Sequence, residues 1–196
     1  MRPGASPVRD APVYLIGIDP GLAKIGLALV HHDGERTLES VRLIETAKDD
    51  SRKVAVTADD NRRFFDLATQ FLDFLDQVPR NEKVMVGIEG FAYIPGAGPN
   101  LLKTAQAVGV IKGILCANRM MPFEFKSSEV KVRVCGAKSA SKTDVQTVLE
   151  KEYPNLHELL EAYPKGKREH LADAVAMAHC AFEEYAQRRL YVGGIL

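Results

Sequence analysis

Nowhere does the chain carry an apolar run approaching the roughly 20 residues a membrane-spanning helix needs, so no membrane partner is expected. Residues 1–12 lack an apolar core and do not read as a secretion signal; a disordered arm is expected there. Cysteine is sparse. Cys116, Cys135 and Cys180 are odd in number, widely spaced and form no Cys-x-x-Cys pair. That pattern excludes a zinc site of the usual spacing and a disulfide framework, and makes a reducing cytoplasm the expected compartment. An excess of either charge is also missing: 26 Lys and Arg balance 26 Asp and Glu. A protein that coats DNA through bulk positive charge is therefore disfavoured. Internal repeats and long low-complexity linkers are absent too. The 196 residues suit one domain with a substantial core and are short for two.

What is present is unevenly placed. Acid dominates the middle, at Asp49, Asp50, Asp59, Asp60, Asp66, Asp73 and Asp76. Base dominates later, at Lys112, Arg119, Lys126, Lys131, Arg133, Lys138 and Lys142, with a second knot at Lys165, Lys167 and Arg168. This segregation fits either one positive face or a solvated surface of mixed charge. Apolar patterning predicts strands over 13–19, 25–30 and 38–44, the second and third joined by His31-His32-Asp33-Gly34, a hairpin sequence. A helix is expected over 58–77, capped by Thr57 and stopped by Pro79. Residues 84–88 form a continuous apolar run, as in a strand buried on both faces. A helix over 100–118, a strand near Phe123, helices over 128–134 and 141–152 and a last helix over 169–185 complete the order. Three strands, helix, strand, helix, strand, then helices describe an α/β domain with a mixed five-stranded sheet flanked by helices, the element order of the ribonuclease H-like fold. The domain is expected over 13–187, with a tail at 188–196.

Three acids stand out by position. Asp19 ends the first strand before the Pro20-Gly21 turn, Glu89 ends the central apolar strand, and Asp173 lies on the last helix. Carboxylates ending neighbouring strands repel one another, and a divalent cation removes that repulsion. His170 precedes Asp173 by three positions and shares its helix face, as a ligand or a base for an attacking water. Glu169 rivals it for that role. Each residue alone has a plainer use: Asp19 in a turn hydrogen bond, Glu89 in a lysine pair, His170 on a surface. The set carries the chemistry.

The order of motifs resembles the RuvC family of Holliday junction resolvases, of bacterial or phage type. Gly17-Ile18-Asp19-Pro20-Gly21 is similar to the family's first-strand motif and Ile88-Glu89 to its second. Ala105-Gln106-Ala107-Val108-Gly109-Val110 resembles its Gln-Ala-x-Gly-Val helix. Val130-Lys131, Gly136 and Ser141-Lys142 resemble its lysine stretch, and the run from His170-Leu171-Ala172-Asp173-Ala174 to Ala178 its last motif. The resemblance implies metal-dependent, symmetric hydrolysis of four-way DNA junctions in recombination and repair. It implies Asp19, Glu89, His170 and Asp173 as ligands of two Mg2+ ions, Mn2+ substituting. It places Lys142 among the catalytic residues, implies DNA contacts by Lys131, Lys138 and Lys142, and implies a homodimer with a branch-migration motor as a further partner.

There are departures. Aspartate often stands where His170 is, residues 46–60 do not align, and the base-stacking aromatic after Glu89 is either Phe91 or Tyr93, neither at the family's offset. Residues 101–116 are apolar on several faces, through burial or a subunit interface. The alternatives are a looser phage-type branched-DNA endonuclease, an RNA-processing enzyme of the YqgF group, and a non-catalytic junction-binding protein. An actin-like ATPase lobe would need a second lobe for which the chain has no room.

Overall fold

Strand β1 (Val13–Asp19) lies at the centre of a five-stranded sheet ordered β3-β2-β1-β4-β5 in the computed structural model, which describes residues 12–51, 55–90 and 98–193. The antiparallel half is a meander of β1, β2 (Lys24–His32) and β3 (Arg36–Glu45). The β2–β3 turn passes through Gly34 at φ 116°, a conformation that favours glycine. The parallel half adds β4 (Lys83–Glu89) and β5 (Pro122–Phe125). Helix α1 (Val56–Leu75) connects β3 to β4, and α2 (Pro99–Ala117) connects β4 to β5. There follow α3 (Ser127–Cys135), α4 (Lys142–Glu152), α5 (Leu156–Glu161), a 3-10 turn at Lys165–Lys167 and the long α6 (Arg168–Gly193). This is the expected α/β architecture, a mixed sheet with helices on both faces.

Strand alternation divides the core. Ile16 and Ile18 of β1, Ile25, Leu27 and Leu29 of β2, and Val86 and Ile88 of β4 pack with Phe71 and Phe74 of α1 and Ile111 and Leu115 of α2. Val13, Leu15, Ala28 and Val30 point the other way, onto α6 and, through it, onto α3, α4 and α5. Asp19 shares the parity of Val13 and Leu15, and Glu89 that of Met85. Both carboxylates therefore project from the face that α6 covers.

Some local expectations differ. Helix α1 starts at Val56 with Ala55 as N-cap and no side-chain cap, so Thr57 lies inside the first turn, too late to cap it. Ser141 caps α4 instead of opening it, accepting from the Asp144 amide while Asp144 reaches back to the Ser141 amide. The run over 84–88 is fully buried only from Val86 onward; Val84 and Met85 are half-buried. Helix α5 and the 3-10 turn have no counterpart in the periodicity, and α6 remains helical beyond residue 187. Cys180 is buried, Cys116 is exposed, and all three thiols are free. Among the described residues no helix is long and apolar enough to cross a membrane.

Candidate active site

Three close approaches seat α6 on the sheet, one of them at Gly87, where a Cβ would stand 2.2 Å from the Met177 carbonyl oxygen. A Cβ on Gly17 would stand 1.8 Å from the Ala174 carbonyl oxygen, and one on Gly26 would stand 1.9 Å from that of His170. No larger residue fits at any of the three positions while the helix stays where it is. The absence of those side chains brings the first turns of α6 down over the carboxyl ends of β1 and β4. The parallel register pairs Ile18 with Ile88, and the next residue of each strand, Asp19 and Glu89, is its last, so the two carboxylates end neighbouring strands.

One pocket of about 210 Å³ collects the result. Asp19, Glu89, His170 and Asp173 line it, with Lys142 from the start of α4, Lys131 from α3, and Glu169 at the rim. Asp19 is only 7% exposed. His170 Nδ1 stands 2.7 Å from Asp19 Oδ2. Lys142 Nζ donates to Asp173 Oδ2 at 3.2 Å and also pairs with Glu169. The two candidates at the start of α6 thus differ: His170 touches the buried carboxylate, whereas Glu169 turns outward to Lys142.

The electrostatics are those of crowded acid. Burial, then the charges of Asp19 and Asp173, push the Glu89 carboxyl up to about 7, and a hydrogen bond with Asp19 adds to the effect. Burial and the Asp19 charge also raise Asp173. The hydrogen bond to Asp19 raises His170. Burial works against the Lys142 ammonium, but its bonds to Glu169 and Asp173 prevail and raise it. Glu169, paired with Lys142, is lowered.

The carboxylate oxygens suit a hard divalent cation, and the raised Glu89 and Asp173 mark negative charge that a cation would relieve. As the side chains stand, His170 engages Asp19 and Lys142 engages Asp173. Among the described residues no group of three or more His, Cys, Asp or Glu is gathered tightly enough to hold an ion. The donor chemistry fits a metal, and the pairing has to open to admit one.

A family model described as crossover junction endodeoxyribonuclease RuvC matches residues 15–181. The chain belongs to the RuvC family. It is 28% identical to the crossover junction endodeoxyribonuclease RuvC of Thermotoga petrophila over 184 residues, 91% of this chain and 98% of that one. It is 27% identical to that of Natranaerobius thermophilus over 182 residues, 90% and 98% of the two chains. The fold is similar to Thermus thermophilus RuvC, solved in complex with a Holliday junction substrate: TM-score 0.64, 20% identity, 91% of this chain and 96% of that one. The RuvC match spans every residue lining the pocket.

Of the other candidates, Lys138 is exposed in the α3–α4 connection and does not line the pocket, while Phe91 and Tyr93 lie outside the described residues. The later basic run is partly neutralised: Lys112 pairs with Glu124, Arg133 with Glu184, and Lys167 with Glu45. A support that patterning missed lies in the unaligned segment. Thr46 Oγ1 donates to the Leu22 carbonyl, and buried Arg63 donates from Nε to Thr46 Oγ1 at 3.1 Å. This chain braces the turn that follows Asp19. An arginine on an amphipathic helix carries no local sign of such a partner.

Proposed function

We propose that this chain is a structure-specific endonuclease that resolves four-way DNA junctions by symmetric, metal-dependent phosphodiester hydrolysis in recombination and repair. The observation that carries the reading is the convergence of Asp19, Glu89, His170, Asp173 and Lys142 on one pocket of a RuvC-family chain. Asp19, Glu89, Asp173 and His170 would hold Mg2+, two ions per site, with Mn2+ as a substitute. When bound, such ions lower the pKa of an attacking water and neutralise charge at the phosphate.

The remaining work falls to side chains. Lys142 sits between two carboxylates and is the cation placed to meet the phosphate being cut. Lys131 lines the same pocket and holds the strand, and Lys138, farther out, meets backbone away from the cut. His170 offers Nε2 as a ligand or as an acceptor for the water proton, because Nδ1 faces Asp19. One pocket cuts one strand, so two symmetric cuts call for a homodimer with two-fold symmetry matching the junction. The cytoplasm is its place of work.

Single-turnover cleavage of a labelled synthetic junction tests the assignment. Asp19→Asn is expected to lower the rate by about 10³-fold or more while junction affinity stays within about threefold. Unchanged cutting by that variant would remove Asp19 from the site. A panel of four-way, three-way, flap and linear DNA measures strictness for the junction.

A further inference from the structure

A second cavity, about 280 Å³, opens beside the catalytic one. The two share a wall made by Lys142, Val145, Glu169 and Asp173. Both carboxylates of the second cavity lie on that wall, and both accept from Lys142. The rest of its lining is neutral or cationic, and the cations are Lys165 and Arg168.

This basic corner is anchored. Arg168 Nε donates to the Tyr163 carbonyl at 2.9 Å, and Tyr163 Oη donates to the Val41 carbonyl on β3 at 3.1 Å. Lys167 is held by Glu45, at the end of the same strand. With Lys167 engaged, two cations are left over. Lys165 forms no ion pair among the described residues, and the terminal nitrogens of Arg168 have no partner among them. A guanidinium fixed through Nε presents those two nitrogens as a ready fork for a phosphate.

We propose that this second cavity binds a backbone phosphate of the cut strand, next to the scissile one, through Lys165 and Arg168. The proposal rests on the nuclease reading for the identity of the strand. Its physical basis is the shared wall: a strand with one phosphate at Lys142 continues into the adjacent cavity, where the unpaired cations are. Lys165 and Arg168 are positioning residues, fixing the register of the strand against the catalytic pocket.

The test uses synthetic four-way junctions in which one neutral methylphosphonate is stepped along the cut strand. Binding is read without divalent cation, so that it is separate from cutting. For the wild-type chain, neutralising the phosphate beside the scissile one is expected to weaken binding about tenfold. The Lys165→Ala/Arg168→Ala double variant is expected to lose about tenfold on the unmodified junction and to be indifferent to that methylphosphonate. Its slope of log affinity against log salt should fall by about 1 to 2. Lys167→Ala, which removes only the Glu45 pair, should keep the wild-type sensitivity, and Arg168→Lys, keeping the charge and losing the fork, should fall between. Full additivity of the double variant with every methylphosphonate, or wild-type binding by a double variant with a normal melting curve, overturns the proposal. If the wild-type chain binds junctions without cutting them when magnesium is added, the nuclease reading fails and the binding data still decide the phosphate site. If it does not bind them, both fall.

Discussion

Helix α6 carries two histidines, and their surroundings set them apart. His170 stands at the strand ends, hydrogen-bonded to Asp19 in a pocket of crowded carboxylates, and its pKa is raised. His179 lies farther along, buried against β3 and α4. Its Nδ1 is 3.1 Å from Arg36 Nη1, and burial together with the Arg36 charge brings its pKa down to about 4. Arg36 is itself paired with Glu152 and stacked 4.8 Å from the Phe182 ring. At His179 a cation already has its carboxylate and the histidine is a neutral acceptor. At His170 acid is in excess. The same side chain on one helix thus lies in charge-balanced packing in one region and among excess carboxylates in the other, and the neighbours set its pKa in opposite directions.

Exchanging the histidines one at a time breaks the comparison most sharply. His170→Gln is expected to lower single-turnover junction cleavage by about 10² to 10³-fold with little change in melting temperature. His179→Gln should leave cleavage nearly intact. Equal rate losses from both would erase the distinction.

The seating of α6 comes next. Gly26→Ala drives a methyl into the His170 carbonyl, so the helix must lift. A loss of about 3 kcal/mol or more in urea unfolding is expected, with cleavage falling alongside it. Wild-type stability would show that the close approach is not what positions His170.

A smaller effect comes from pH. The folded pKa of His179, about 4, is below the unfolded value near 6.5, so the unfolded chain takes up the proton first. Its contribution is fully present above about pH 6.5 and is lost as pH falls toward 4. Between pH 7 and 5 the wild type should lose about 2 kcal/mol more than His179→Gln. Parallel stability curves for the two proteins would contradict a buried neutral imidazole. The smallest effect expected is that of Lys138→Ala, a two- to fivefold loss of junction affinity (about one peripheral phosphate contact) with the rate at saturation unchanged.

Much of the frame was readable from local pattern. The bounds of β1, 13–19, follow from an apolar run closed by Pro20-Gly21, and the meander from a hairpin sequence ending in glycine. The acids Asp19, Glu89 and Asp173 were conspicuous because strand ends and the apolar stretch 171–178 of the last helix are poor places for lone carboxylates. What stayed hidden depends on distant partners. Helix α5 buries only Leu156 and Leu160 within a short polar segment, too few positions to establish a period. Arg63 on α1 finds its partner in Thr46, which in turn donates to the Leu22 carbonyl, and neither contact is local in sequence. The roles of Gly17 and Gly26 depend on where α6 lies across the sheet, which the strand pattern does not encode. Lys165 and Arg168 were visible as a basic knot, but the ion pair that sets Lys167 apart from them needs β3.

Junction-specific hydrolysis is tested most directly by cleavage of a labelled four-way junction in magnesium, beside a linear duplex of the same sequence. Paired nicks at symmetric positions in the junction, sealed afterwards by ligase, are expected, with the duplex left whole. No cutting in magnesium or manganese, or cutting of the duplex at the same rate, would contradict junction-specific hydrolysis.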